Sequence, residues 1–318
     1  MILFSDLHLK AESEQTCRQV LDGVFTLALS TGKVVGFLGD FWHVRYAVPL
    51  HLLNMVRDTF HLWSKAGVKL YMLPGNHDQF DVNGRNALEV FADIPNVRVF
   101  SEPTHDWATG TWLPYRKDPR VLLEWLKANP VPEGAPFVAY LHHGIQGAFM
   151  NSGMQAGAQD GLRPEDLPFP RVYCGHWHRH QQVAQCVYVG SQWQTRADEA
   201  GQQKGVLRIN GPHWEFIPLG LGARFHAFQT FSEQEVKAVR PGDTVRVPAG
   251  TGQKAIEALK ALGADVLVAP EIKAITQRLT QGTLRDQAQQ YVNSVDVPAE
   301  LTAQDLMALY DEVSTVKG

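Results

Sequence analysis

A chain of 318 residues, 44% hydrophobic and 19% charged, can bury a sizeable core and exceeds the roughly 100–200 residues of one typical domain. Its formal net charge of −4 excludes a globally basic nucleic-acid binder, so contact with nucleic acid requires a local basic patch, metal ions or a partner. No apolar run approaches the ~18 residues of a membrane span, and three cysteines without framework spacing, Cys17, Cys174 and Cys186, read as reduced thiols of a cytoplasmic protein. In chain order, Met1 leads straight into an apolar strand, Met1–Ser5, which leaves no room for a signal peptide. Further buried strands are expected at Lys33–Leu38, Val68–Leu73, Pro136–Leu141 and Arg171–Cys174. A helix is expected over Ser13–Ser30, with Ser13 as cap, an apolar face of Val20, Leu21, Val24, Phe25 and Ala28, and Gly32 as stop. A second helix is expected over Pro49–Ala66, with Pro49 in its first turn and Gly67 at its end. This alternation predicts an α/β fold, right-handed crossovers and helices on both faces of a sheet.

Val183–Gly190, Lys204–Asn210 and Trp214–Leu219 read as short strands of a second sheet, and Gly220–Gly222 as a linker. The pattern then restarts on a smaller scale. Strands are expected at Phe225–Phe231, Asp243–Val247 and Asp265–Ala269, with a helix at Gln253–Leu262. An amphipathic helix is expected at Thr302–Val313. The boundaries that follow are 1–220 for a catalytic domain, 223–295 for a small α/β domain, and 296–318 for a C-terminal helix.

Polar residues gather at the ends of the expected strands: Asp6-Leu7-His8, Gly39-Asp40-Phe41-Trp42-His43, Gly75-Asn76-His77-Asp78, His142-His143-Gly144 and Gly175-His176-Trp177-His178. The carboxyl ends of strands in open α/β sheets are where ligands bind. Asp6 and His8 are two apart, as are His176 and His178, so on extended backbone each pair points one way. Carboxylate and imidazole donors suit first-row divalent ions. Their number exceeds one tetrahedral site and fits two ions about 3.5–4 Å apart sharing a ligand, for which Asp40 is the natural bridge. Such a pair polarises a phosphoryl group and provides hydroxide near neutral pH. His77 fits the donor to a leaving oxygen, with Asp78 orienting it. His43 is balanced between a supporting catalytic role and local packing, and strand alternation allows only one of His142 and His143 to face the ions. Arg85, Arg116, Lys117 and Arg196 are candidates for phosphate contact against a plain reading as surface charge, and Trp177 and Trp193 for base stacking against core packing.

Taken together, these five motifs resemble the calcineurin-like metallophosphoesterases. The resemblance implies a layered β-sandwich flanked by helices. It implies one ion held by Asp6, His8, Asp40 and His178, another held by Asp40, Asn76, His142 and His176, and His77 on the transferred phosphoryl group. A narrower resemblance, to the SbcD-type DNA nuclease subunit, rests on Gly39-Asp40-Phe41-Trp42-His43, on Gly161-Leu162-Arg163-Pro164-Glu165-Asp166-Leu167, and on Tyr188-Val189-Gly190-Ser191-Gln192 followed by Glu199 and Lys204-Gly205. It implies a DNA substrate, for which Arg85 and His143 are the candidate contacts, and Mn²⁺ ahead of Fe²⁺, Zn²⁺ or Mg²⁺. It also implies a capping domain after residue 222 and an SbcC-type ATPase partner at the C-terminal helix; a homodimer is compatible with it, and no membrane is involved. The competing expectations are a phosphodiesterase of cyclic nucleotides or other small diesters, and a non-catalytic scaffold, which would be expected to lack a ligand.

Overall fold

The computed structural model describes residues 1–44, 47–81, 85–210, 213–229, 232–269, 289, 302, 304 and 307. Met1–Val268 packs as one compact unit and Ala269–Gly318 as another. Most of the second unit, and with it most of the expected helix at Thr302–Val313, lies outside the described residues.

The first sheet contains β1 (Ile2–Phe4), β2 (Val34–Leu38), β3 (Lys69–Leu73) and β4 (Val97–Val99) as parallel neighbours. On the free side of β1 it adds β11 (Gly205–Asn210), antiparallel to β1, and then β12 (His213–Pro218), antiparallel to β11. The second sheet has the order β5 (Thr104–Asp106), β6 (Gly110–Leu113), β7 (Ala139–His142), β8 (Val172–Gly175), β10 (Cys186–Tyr188) and β9 (Gln181–Val183). Its inner four strands are parallel.

Alternation along each strand explains how these sheets stack, because neighbouring side chains leave opposite faces. On β1, Ile2 and Phe4 pack under α1 (Glu14–Ser30) and α2 (Leu50–Lys65), whereas Leu3 turns to the other side. There Leu3, Leu38 and Leu73 meet Trp112, Tyr140 and Tyr173 of the second sheet. Trp112 stacks on Tyr140 at 4.3 Å and on Phe100 at 4.7 Å between ring centroids, so aromatic area fills the centre of the sandwich. The outer face of the second sheet buries Leu141, Val172 and Cys174 with Leu122 and Leu126 of α3 (Arg120–Ala128). The fold is therefore mixed α/β, a layered sandwich with helices outside, as the metallophosphoesterase resemblance implies.

Three expectations need correction. Helices do not cover both faces of one sheet, because each inner face is occupied by the other sheet. Lys204–Asn210 and Trp214–Leu219 do not join the second sheet; as β11 and β12 they extend the first. Ser13 makes no side-chain cap on α1; its hydroxyl is turned back on Lys10.

The restarted pattern forms a separate parallel sheet of β13 (Phe225–Ala227), β14 (Thr244–Val247) and β15 (Asp265–Val268). α4 (Glu233–Lys237) and α5 (Gln253–Ala261) make its crossovers, and Phe228, Val245, Val247 and Leu259 belong to its small core. No described helix is long and apolar enough to cross a membrane. All three cysteines are buried and unpaired.

Candidate metal centre

The motif residues meet where β1, β2, β3, β7 and β8 end. Beyond β1 and β2 the two chains remain hydrogen-bonded: Asp6 N donates to Gly39 O at 2.8 Å, His8 N to Asp40 O at 3.1 Å, and Leu9 N to Phe41 O at 2.8 Å. The backbone there is not extended. Asp6, His8, Asp40 and His176 have φ of 52°, 49°, 60° and 93°, a left-handed region that non-glycine residues avoid. Four candidate ligands thus share a sparsely populated backbone region, of the kind that clusters at functional sites. The expectation for residues two apart holds for Asp6 and His8, which gather in one set, and fails for His176 and His178. His178 gathers with Asp6 and His8, while His176 gathers with Asp40 and His142, each trio having donor atoms within 4.8 Å of one another. Gly75 lets the motif loops close: a Cβ there would run into the Asp40 carboxylate and the His142 ring.

Asp40 stands between the two trios. Its Oδ2 lies 3.8 Å from His8 Nε2, and its Oδ1 lies 3.4 Å from His142 Nε2 while accepting the His77 N–H at 2.8 Å. Asn76 Oδ1 lies 3.0 Å from His176 Nδ1 and 3.4 Å from His142 Nε2, which adds an amide oxygen to the second set. Across the first set, His8 Nε2 and His178 Nε2 are 3.0 Å apart.

The far nitrogens of two histidines are taken. His142 Nδ1 donates to Leu38 O at 2.5 Å and His178 Nδ1 to Glu199 Oε1 at 2.5 Å, so each presents its Nε2 lone pair to the centre. Burial drives His8 and His176 well below the usual imidazole range and keeps them neutral. Burial also lowers His142, but the Asp40 carboxylate beside it outweighs this and brings it to about 9. A bound cation would take over that pairing, since a ligand imidazole must be neutral. Carboxylate, amide and imidazole donors in two adjoining sets fit two divalent ions of the first transition row.

Of the remaining candidates, His77 joins His8 and Asp40 in a third set with donor atoms within 4.8 Å of one another. His77 lines the cleft, and its Nδ1 donates to His43 O at 2.9 Å. Asp78 does not orient that ring. It is fully buried and accepts four backbone N–H groups at 2.8–3.1 Å, from Asp40, Phe41, Trp42 and Gly75. Asp78 therefore ties the Asp40 loop to the Asn76 loop, and burial, then the Asp40 charge, pushes its carboxyl up to about 7. The His43 ring is exposed at the cleft mouth, 6.0 Å from that of His77. Arg85 is not among the cleft-lining residues; its guanidinium lies over Phe80.

His143 belongs to none of the donor sets. Its ring stacks on Tyr115 at 5.2 Å, and its Nε2 contacts Arg116 O at 3.0 Å. Burial lowers it from 6.5 to about 4. Between those values the unfolded chain binds a proton that the folded chain refuses. This contribution to stability is complete above pH 6.5 and is lost as pH falls toward 4. It amounts to roughly 2 kcal/mol by about pH 5. His143→Gln should therefore narrow the drop in unfolding free energy between about pH 7.5 and about pH 5; an unchanged drop in urea titrations would contradict this.

Several cleft residues escaped the sequence reading. Lys10, Asn151 and Thr195 line it beside Trp177, Trp193 and Arg196. Asn151 accepts the His178 N–H at 2.8 Å from a loop with no periodic signal; Lys10 continues the spacing of Asp6 and His8 and could have been read from it.

Three comparisons place this chain among known proteins. The family model of calcineurin-like phosphoesterases matches residues 1–180. Exonuclease subunit 1 of Enterobacteria phage T4 is 27% identical over 231 residues, which cover 67% of this chain and 66% of that protein. The match thus spans just under two thirds of the curated relative. The crystal structure of Pseudomonas putida nuclease MPE aligns with 59% of this chain and 71% of its own, at 18% identity and a TM-score of 0.30. With more than half of its 318 residues matched by the family model and the motif residues drawn into one cleft, the chain belongs to the calcineurin-like phosphoesterase family, metal-dependent hydrolases of phosphoester bonds.

Proposed function

We propose that this protein is a two-metal phosphodiesterase that cleaves DNA, an SbcD-like exo/endonuclease subunit of DNA repair or recombination, with Mn²⁺ as its principal ion. The observation that carries the reading is the Asp40 carboxylate, with one oxygen toward each histidine set. In this reading Asp6, His8, Asp40 and His178 hold one ion, and Asp40, Asn76, His142 and His176 the other. Two such ions supply Lewis-acid polarisation of the phosphoryl group and a nucleophile at neutral pH. The chain's residues do the rest. His77, its Nδ1 committed to His43 O, presents Nε2 to the scissile phosphate and stabilises the leaving oxygen. The His43 carbonyl holds that ring, and Asp78 ties the loop that carries it to the Asp40 loop. Lys10 and Arg196 at the cleft offer charge to a phosphate backbone, and Trp177 and Trp193 offer faces to unpaired bases. The phage relative is itself named an exonuclease subunit, which supports both a nucleic-acid substrate and a larger assembly.

In the same reading residues 1–220 are the nuclease domain, 223–295 a capping domain that grips DNA, and 296–318 the segment that binds an SbcC-type ATPase in the cytoplasm. Gln194 Oε1 accepts the Phe225 N–H at 2.6 Å, joining the start of the small sheet to the segment that carries Thr195 and Glu199. This favours a cap whose described part, up to Val268, starts beside the segment that lines the cleft.

The test is cleavage of end-labelled linear duplex, single-stranded and circular DNA with Mn²⁺, alone and with the ATPase partner, beside a chromogenic small diester. The wild type should degrade DNA. His77→Ala should lose about a hundred- to ten-thousandfold in rate, the usual worth of a positioned acid–base group, while retaining its metal. Metal loss in step with activity would make His77 a ligand. Diester hydrolysis with DNA intact, partner included, would move the function to small substrates.

A further inference from the structure

Glu199 is a buried carboxylate that takes no part in the proposed chemistry, yet it is held against the ring of a candidate metal ligand, His178. It is 1% exposed. Oε1 accepts from His178 Nδ1 at 2.5 Å and from Thr195 Oγ1 at 3.0 Å; Oε2 accepts from Thr195 N at 2.8 Å and pairs with Lys204 Nζ at 3.1 Å. Lys204 is itself buried, and its Nζ also donates to His178 O at 2.8 Å. The pair therefore grips His178 at both ring and main chain. A buried ion pair is weak evidence of stability, since desolvation offsets its attraction, so its retention here asks for another reason.

The other histidines of the centre are held differently. His142 leans on a main-chain carbonyl, that of Leu38, and His8 Nδ1 has no hydrogen-bond partner among the described residues. Only His178 has a charged side chain behind it among the described residues. A carboxylate behind an imidazole fixes its tautomer and raises its basicity as a ligand, whereas a neutral carbonyl does chiefly the first. The 3.0 Å approach of His8 Nε2 to His178 Nε2 needs that control: with His178 Nδ1–H committed to Glu199, its Nε2 faces His8 as a lone pair.

We infer that the Glu199–Lys204 pair is a positioning unit for His178 that sets the affinity of one of the two metal positions, the one shared with Asp6 and His8, and leaves the other untouched. The inference rests on the two-ion reading and is independent of DNA as the substrate. The set of Asp40, His142 and His176 makes no contact with Glu199, so the effect should be confined to one site.

The experiment uses the full chain stripped of metal and titrated with Mn²⁺, followed by calorimetry and by electron paramagnetic resonance. Wild type should take up two ions and give the signal of a spin-coupled pair. Glu199→Ala should keep one site at wild-type affinity and weaken the other about ten- to a hundredfold, with an isolated-ion signal at intermediate loading. Glu199→Gln, which keeps an acceptor and loses the charge, should fall between them; if the alanine variant does not fold, the glutamine variant decides alone. Two sites of wild-type affinity in the folded variants, or equal weakening of both sites, would overturn the inference, the latter because it marks general distortion. A wild type that binds a single ion would sink the two-ion reading and this inference together. A wild type that binds both ions but leaves DNA intact, with the one-site loss in the variants, would remove the DNA reading and uphold the inference.

Discussion

Asp40→Asn should abolish phosphoesterase activity and leave at most one ion per chain. The asparagine keeps Oδ1, and with it the acceptor for the His77 N–H that Asp40 provides at 2.8 Å, so the loop that carries His77 has no reason to collapse. What it loses is the charge and the second oxygen, which lies 3.8 Å from His8 Nε2 on the side of the Asp6, His8 and His178 set. Two cations at about 3.5–4 Å repel strongly, and a shared anion is what makes that spacing tolerable. Loss of a mere supporting partner of a metal ligand costs ten- to a hundredfold, so loss of the bridge should exceed about a hundredfold in rate. Metal content by elemental analysis should fall with it. An Asp40→Asn protein with normal turnover and two bound ions would remove Asp40 from the centre.

Asp78→Ala should be the most destabilising substitution in the cleft, and its effect should be independent of metal. Four backbone N–H groups, from residues of two loops, converge on its two oxygens. Removing the carboxylate leaves all four without that acceptor in a site that is fully buried. At roughly 1–3 kcal/mol for each stranded donor, the loss is at least about 4 kcal/mol, a large fraction of the ~5–15 kcal/mol that holds a domain folded. Denaturant unfolding with a chelator present should show it in full; a loss under about 1 kcal/mol would mean that the loops do not depend on this residue. Asp78→Asn should lie between, because its amide nitrogen faces donors wherever it turns.

This role for Asp78 shows where sequence reasoning ran out. The Gly-Asn-His-Asp motif placed Asp78 next to His77, and adjacency in sequence became an expectation of adjacency in function. The structure instead directs Asp78 across to the Asp40 loop, a long-range contact that no local pattern encodes. The ligand candidates were legible because each follows an apolar strand, and five strand ends in one sheet system leave their polar residues little choice of neighbourhood. The sorting of His176 from His178 was not legible from spacing, since alternation presumes extended backbone and His176 has φ of 93°.

The fold divides the same way. The small sheet was readable strand by strand because its elements are short, local and punctuated by turns. The two large sheets were readable as strands but not as partners. β11 and β12 return to β1 across some two hundred residues of sequence, pairing Ile2 with Arg208, and nothing in the composition of Gly205–Asn210 tells one sheet from the other. Strands β4 to β6 were missed outright: at three or four residues each, they are too short for a period-two pattern to rise above chance. Glu199 was visible only as part of a family resemblance, since its partner His178 lies 21 positions away.

The measurement closest to the central claim is anomalous diffraction from crystals of the wild type equilibrated with Mn²⁺. The account predicts two peaks about 3.5–4 Å apart flanking the Asp40 carboxylate, one against Asp6, His8 and His178 and the other against Asn76, His142 and His176. A single peak at saturating Mn²⁺, or two peaks that do not share Asp40, would contradict it.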